Sequence, residues 1–428
     1  MRARFGFRWR QIVHDLHTGL LFRPAMIAAA IALLGVALIQ LERAGAMPRW
    51  GHRSWLFSDD PGSAQAVLGA IAGSMMAVVS IIYTVLLVAL SLASMQFSPR
   101  ILGGLIRDRA SQRTLGVFIG TFFYCLAVMR AVRADPPWVA TWAVGFAIVL
   151  ALACLVSLIY FIHHIAQGIQ VNNLADRIAN ETRQVIAQAY LEDADREPPA
   201  LDGEVVAITA SASGYLQLVD HAGLLALARR SGAAIHVGVE PGDFVTRGEQ
   251  LAQIAPGPLS ADAITACQHA FDLGPHRTMQ QDVGFGFRQL VDVALKAISP
   301  AVNDPSTAAT CIDQLGGLLA ELANRRVGPF VLGDRAGSYV AVPQPDLEAL
   351  VDLAFNQLRQ YGRGDLAVSI RLLHALAAVG RACREPARRE RLRWHAALVR
   401  DGLSESFLPA DRARFTTEYV ATAAVLGA

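Results

Sequence analysis

Four stretches of this chain run without a charged residue for about the length that a bilayer demands, and this limits the fold more than any other feature. They are residues 24–41, 61–99, 114–129 and 136–162. A spanning helix needs about 20 apolar residues, within a range of about 17–25. The third run reaches that length only if Ala131 and Val132 extend it and Arg130 turns its guanidinium toward water. Composition agrees. The 428 residues are 53% hydrophobic and only 17% charged, against about 25% charged in soluble proteins. The charge deficit is local: residues 24–162 hold 14 charged side chains, and residues 163–428 hold 54. A lipid-embedded third is thus joined to a soluble part long enough for one or two domains.

Arginine sets the expected orientation. The basic N-terminus, 1–23, carries Arg2, Arg4, Arg8, Arg10 and Arg23. The loop after the second run carries Arg100, Arg107, Arg109 and Arg113. Both segments should face the cytoplasm of a bacterial inner membrane. Loops 42–60 and 130–135 should lie outside, with Trp50, Trp55 and Trp138 at the interface, which leaves the C-terminal part inside. A signal peptide cleaved at Ala44-Gly45-Ala46 is the alternative for the first run, but the long basic leader and Glu42-Arg43 oppose it. Residues 163–428 carry 24 basic and 30 acidic side chains. That acidic balance argues against a nucleic-acid partner, whereas the basic N-terminus fits the anionic cytoplasmic face of a membrane, whose lipid is an expected partner. The five cysteines are scattered without CxxC spacing, so no metal site is expected.

The second run is too long for its task. A helix over 63–97 would measure roughly 50 Å, against a hydrocarbon core of roughly 30 Å. One face carries Gly69, Gly73, Ala77, Ser80, Thr84, Leu87, Ser91, Ser94 and Ser98 at spacings of four or three. Small residues let helices approach closely, as in Gly69-x-x-x-Gly73. Hydroxyls around a symmetric axis can instead replace the hydration shell of an ion. The stripe Gly73, Ala77, Ser80, Thr84, Ser91, Ser94 and Ser98 therefore reads either as a packing seam or as the wall of a pore in a homo-oligomer.

The soluble part opens with a helical stalk and linker, 163–200, that continues the fourth run. Short strands follow over 204–209, 214–219, 234–239 and 252–254, with a helix at 224–230. The string Pro241-Gly242-x-x-Val245-x-x-Gly248-x-x-Leu251 resembles the barrel-sandwich hybrid fold of biotinyl and lipoyl domains and of membrane-fusion adaptor proteins. The resemblance implies a small β module over 201–257. The segment has no lysine to acylate, so a carrier function does not follow. Residues 258–428 read as mainly helical, over 260–272, 279–298, 305–324, 345–361, 364–382, 385–401 and 408–425. A small hairpin is expected between Val327 and Val342.

The most distinctive string is Gln281-Asp282-Val283-Gly284-Phe285-Gly286-Phe287-Arg288-Gln289-Leu290, continued by Asp292, Lys296 and Ser299-Pro300-Ala301-Val302-Asn303-Asp304-Pro305-Ser306-Thr307-Ala308. With Gln96-Phe97-Ser98-Pro99-Arg100 and residues 116–122, it resembles a family of predicted bacterial membrane proteins of unknown function. The hallmark of that family is an ALSPA-NDP-TA run behind four spans. The resemblance implies the architecture and brings no activity.

The residues themselves can still be read. Arg288, Asp292 and Lys296 stand at i, i+4 and i+8, with a carboxylate between two cations. Asp304 suits an N-cap with Pro305 in the first turn. Asp292, Lys296, Ser299, Asn303 and Asp304 thus form either a structural corner or a ligand or cation site. An active site is disfavoured because no nucleophile–base pair is evident. No catalytic residue, cofactor or enzymatic activity is expected. His163-His164 reads as an interface pair, and the arginines of 381–400 as a solvated helix face. The chain as a whole reads as a mainly α integral membrane protein. Its expected role is a homo-oligomeric channel with a cytoplasmic regulatory part. A membrane-anchored sensor or scaffold, whose cytosolic domain binds a small ligand, ion or protein partner, is the alternative.

Overall fold

The computed structural model describes residues 22–47, 60–96, 109–134, 137–168, 171–190, 199–257, 259–333 and 338–427. It divides into two compact units, Met1–Gln170 and Val171–Ala428.

The first unit holds helices α1 (Phe22–Arg43), α2 (Pro61–Gln96), α3 (Arg109–Ala131) and α4 (Thr141–Gly168). Each is long and apolar enough to cross a membrane. The third, the least hydropathic, is also the most enclosed. Of its apolar window 56% is buried, against 22% or less for the others. Its weak hydropathy thus reflects a central place among helices, where lipid contact is small. Glycines permit that place. A Cβ on Gly116 would stand 2.8 Å from Ile27, and one on Gly120 would stand 3.0 Å from the Ala28 backbone. Gly35 on α1 lies as close to the ring of Tyr124. The close approach of α1 and α3 is therefore made by glycines of those helices, whereas Gly73 on α2 has open space around it.

Helix α1 runs further than the uncharged stretch, through Glu42 to Arg43. The Glu42 carboxylate accepts the Ala143 amide at 2.8 Å in the first turn of α4, satisfying a donor that helix geometry leaves orphaned. The Tyr124 hydroxyl donates to the Ala143 carbonyl at 2.8 Å. Three helices are thereby tied at one residue. A two-residue hairpin, β1 (Arg133–Ala134) with β2 (Pro137–Trp138), joins α3 to α4.

The second unit begins with α5 (Val171–Ala189). The segment read as a stalk starts a new helix here. Its buried residues Ala175, Ile178, Ala179, Thr182, Val185 and Ile186 follow a helical stripe, and it packs on α8 (Val283–Ala297) and α9 (Pro305–Leu322). Beyond it come β3 (Val206–Thr209), β4 (Gly214–Val219), α6 (His221–Ser231), β5 (Ala234–Val237), β6 (Phe244–Val245), β7 (Gln250–Ala255), α7 (Ala261–Gln268) and β8 (Phe271–Gly274). After α8 and α9 come β9 (Phe330–Gly333), β10 (Tyr339–Val342), α10 (Leu347–Gly362), α11 (Leu366–Ala382), α12 (Pro386–Asp401) and α13 (Pro409–Leu426).

The barrel-sandwich expectation is corrected. The described strands form two open sheets, ordered β3-β7-β5-β10-β9 and β6-β4-β8, and no closed barrel. The reason is that segments outside the module complete each sheet. Strand β10 adds parallel to β5, with Val340 opposite Ile235, and carries β9 with it. The expected hairpin is thus an extension of the first sheet. Strand β8 pairs antiparallel with β4, so the helix expected over 260–272 stops at Gln268. Ile208, Leu216, Val245, Leu251, Phe271 and Val340 share one core between the sheets.

A residue that admits no Cβ gives a direct check of the α1–α3 contact. Gly120→Ala should cost about 1–3 kcal/mol through overpacking, read as a lower melting temperature in detergent. Gly73→Ala, which meets open space, should not lower that temperature. Equal melting of both variants with wild type would refute the close approach.

Candidate functional site at the start of helix α8

The string that opens at Gln281 begins where three parts of the second unit meet. Asp282 is the N-cap of α8, and its Oδ1 accepts the Phe285 amide at 2.8 Å. Its other oxygen receives Arg277, with Nε at 2.8 Å and Nη2 at 2.7 Å. The Arg277 guanidinium lies over the Phe285 ring at 5.2 Å. Asp282 is only 4% exposed. Burial outweighs Arg277 and holds its carboxyl above the usual carboxylate range. The ion pair is roofed by Gly242 of the Pro-Gly turn. This glycine has φ +98°, and a Cβ there would stand 2.0 Å from Asp282 Oδ2. Glycine is therefore required twice, by the backbone conformation and by contact.

Gln281 makes the second link. Its side-chain amide accepts from the Val219 amide at 2.8 Å and donates to the Val219 carbonyl at 3.0 Å, so it binds the end of β4 like a strand neighbour. Gly286 makes the third. A Cβ there would meet Thr182 Oγ1 of α5 at 2.1 Å and Cγ2 at 2.8 Å. The run Gln281-Asp282-x-Gly284-x-Gly286 is thus the surface on which the β region and α5 dock against the bundle.

A cavity of about 190 Å³ opens at this junction. Glu240, Asp243, Arg277, Asp282, Gln344 and Tyr190 supply polar atoms to its lining, and Leu350 and Leu353 an apolar wall. Burial, then the neighbouring Asp243, Asp282 and Asp346, raise the Glu240 carboxyl above its usual range. The cavity combines acidic groups with one guanidinium already engaged by Asp282. Among the described residues no group of three or more His, Cys, Asp or Glu is placed to hold a metal ion. Sequence reasoning did not find this site. The two glycines within an otherwise bulky run were the available signal.

The corner residues are placed differently. Asp304 is the N-cap of α9 with Pro305 in the first turn. Its Oδ1 accepts the Thr307 amide at 3.1 Å and its Oδ2 the Thr307 hydroxyl at 2.5 Å. Those bonds hold its carboxyl below the usual range. Ser299 donates its hydroxyl to the Lys296 carbonyl at 2.7 Å, and its own carbonyl accepts the Asn303 amide at 2.8 Å. Asn303 adopts φ +50°, in the left-handed region, which asparagine tolerates better than most residues. Ser299, Asn303 and Asp304 therefore share one tight turn. Asp292 has another partner, Arg288, at 2.8 Å, which also reaches Gln357 of α10 at 2.7 Å.

On α2, Gly73, Ala77, Ser80, Thr84 and Ser91 are all exposed. The helix packs against its neighbours through Ala64, Leu68, Ala72, Met75, Val79, Ile82 and Ala89, centred roughly 160° away at 3.6 residues per turn. Ser80 and Thr84 donate to the carbonyls of Met76 and Ser80, four residues back, at 3.2 and 2.9 Å. The side chain of Ser94, and Ser98 altogether, lie outside the described residues. His164 stacks on Tyr160 within α4. The arginines of α12 are engaged by the fold more than a solvated face would be. Arg388 donates to the Ala323 and Arg325 carbonyls beyond α9, and Arg393 to the Gly427 carbonyl beyond α13.

Two substitutions separate these roles. Gly286→Ala should destabilise the second unit, and Thr182→Ala in the same chain should recover part of the loss, with a coupling of about 0.5–3 kcal/mol. Additive losses in denaturant titrations would contradict the contact. At the corner, Asp304→Ala should cost about 0.5–2 kcal/mol and Asp304→Asn much less, because asparagine also caps. Equal losses would instead indicate that the charge itself is needed.

Residues 17–378 match the family described as Predicted membrane protein (DUF2254). The chain is similar to Uncharacterized protein Mb1321c of Mycobacterium bovis and Uncharacterized protein Rv1290c of Mycobacterium tuberculosis. Each is 34% identical over 358 residues, which cover 80% of this chain and 69% of the relative. No solved structure matches it. Four apolar helices followed by the Gln281–Ala308 string, with the family match running across both, identify the chain as a member of the DUF2254 family of predicted membrane proteins.

Proposed function

We propose that this protein is a non-enzymatic, homo-oligomeric membrane pathway for ions or small solutes, with its C-terminal unit on the cytoplasmic side as the regulatory part. One observation carries the reading. The face of α2 turned away from α1, α3 and α4 carries Gly73, Ala77, Ser80, Thr84 and Ser91 in one stripe, with exposed Leu87 on it and Met76, Ile81 and Val88 beside it. A face left to lipid gains most from bulky apolar side chains, and a glycine–hydroxyl face gains little there. It suits another helix or a water-lined axis. A second copy of the same chain would offer the same stripe about a symmetry axis. The length of α2 adds support: 36 residues extend about 54 Å, well past a hydrocarbon core of roughly 30 Å. Orientation follows the arginine bias of residues 1–23 and 98–113.

The cavity at the start of α8 favours the second reading, a membrane-anchored sensor whose C-terminal unit binds a small ligand. Both readings are tested on the purified chain. In proteoliposomes a pathway predicts ion flux under voltage, tension or pH change. Ser80→Leu, Thr84→Leu and Ser91→Leu should abolish it while the detergent-solubilised mass stays unchanged. If those variants instead dissociate the assembly, the stripe is a seam between copies. A wild-type protein that passes no ions in any of these conditions would leave the sensor reading in place of the channel.

Orientation has its own check. All five native cysteines are buried, so an added surface cysteine can be read against a silent background. Ser54→Cys should label from outside and Ser406→Cys from inside. The reverse pattern would overturn the orientation. Ser111, in α3, is only 4% exposed and would make a poor reporter.

A further inference from the structure

We propose that His395 is a proton-controlled latch of the helical bundle: neutral, it ties α12 to α10 through Asp352, and a second proton on its Nδ1 releases α12.

The geometry carries this. His395 is fully buried. Its Nε2 lies 2.7 Å from Asp352 Oδ1. An ionised carboxylate only accepts hydrogen bonds, so Nε2 holds the ring's one proton. Nδ1 is buried and has no hydrogen-bond partner among the described residues. Protonating it would create a buried donor with nothing to receive it, which costs the full desolvation of that group. The local charge is also already balanced. Asp352 Oδ2 receives Arg391 at 2.5 Å, so an imidazolium would be a second cation on one carboxylate.

The groups that act on His395 are Asp352 and Arg359 from α10 and Arg391 from its own helix. On the other packed helices, Arg371 of α11 pairs with Asp313 and His374 of α11 with Glu418 of α13, and Arg381 of α11 and Asp411, Arg412 and Arg414 of α13 are not among the groups that act on His395. Phe355 and Trp394 cover the ring with their edges or faces at 6.5 and 5.0 Å between centroids. Burial accordingly lowers the His395 pKa from the ordinary histidine value, the Asp352 bond opposing and the two arginines assisting.

The sign follows by linkage. A folded-state histidine with a lowered pKa leaves stability intact above the unfolded value, about 6.5, and loses it as pH falls below that value. The consequence reaches beyond α12. Arg388 closes the end of α9 and Arg393 the end of α13. Releasing α12 would therefore loosen both of those helix ends.

The test is amide hydrogen exchange on the full chain in detergent at pH 7.5 and 5.5, corrected for intrinsic rates. Opening that takes up one proton should become up to about tenfold more frequent per pH unit between the folded and unfolded pKa values. That rise should appear in peptides covering 386–401, 320–327 and 420–427. His395→Gln keeps a donor amide where Nε2 stands and cannot titrate, so its exchange in these peptides should be pH-independent. Asp352→Asn removes the anion that favours imidazolium and should move the wild-type midpoint to lower pH. A local readout is needed because His221, on α6, is also held below the ordinary value by burial and would contribute to a global melt. Unchanged wild-type protection of 386–401 between the two pH values would overturn the proposal. So would the same pH dependence persisting in His395→Gln.

Discussion

The Asp282 carboxylate is the interaction on which the second unit depends. It starts α8 by taking the Phe285 amide, it holds Arg277, and it lies under Gly242 of the β region. A buried charge of this kind is costly unless paired and hydrogen-bonded, and here both of its oxygens are used. Once α8 is set, its glycine face receives α5 at Gly286, and Gln281 fastens the end of β4. Removing the carboxylate would leave the half-buried Arg277 without its partner and the first turn of α8 uncapped. The opening of this string, 281–286, is thus explained by assembly, since Gln281, Asp282 and Gly286 each meet a different part of the unit.

In the first unit glycine again sets the close contacts. Glycines of α1 and α3 bring two backbones together, and the polar atoms there are few and satisfied. Glu42 and Tyr124 meet the amide and carbonyl of Ala143, as an apolar solvent requires. What is left over is the stripe on α2. The hydroxyls of Ser80 and Thr84 return to their own helix, so they cost little in lipid and leave the face open to another copy. That combination is the physical basis of the oligomeric pathway proposed above.

Much of the outline was legible in the residues. Four uncharged runs locate α1 to α4. Helix starts in the second unit are written in single residues: Asp304-Pro305 for α9, Asp346 for α10 and Asp365 for α11 each place a carboxylate on the amide three positions on. These are local signals, because hydropathy and capping act within one or two turns. Of the candidate residues, Ser299, Asn303 and Asp304 come together because they are neighbours in the chain. The cavity at the start of α8 draws on Tyr190, Glu240, Asp282 and Gln344, and no spacing in the sequence joins them.

What tertiary structure alone decided concerns pairing and facing. Residues 271–274 became a strand because β4 offers an open edge, and 339–342 became one beside β5, more than a hundred positions earlier. A four-residue segment is too short to show a periodicity of its own, so its partner determines its state, and with these additions the described sheets are open and do not close as a barrel. The face of α2 that packs inward was likewise undecided, since both of its sides are uncharged. The sequence by itself determined which segments enter the membrane and where helices begin, because solvation and capping are properties of short stretches. Which surfaces meet was left to the folded chain, because contact depends on shape across distant segments.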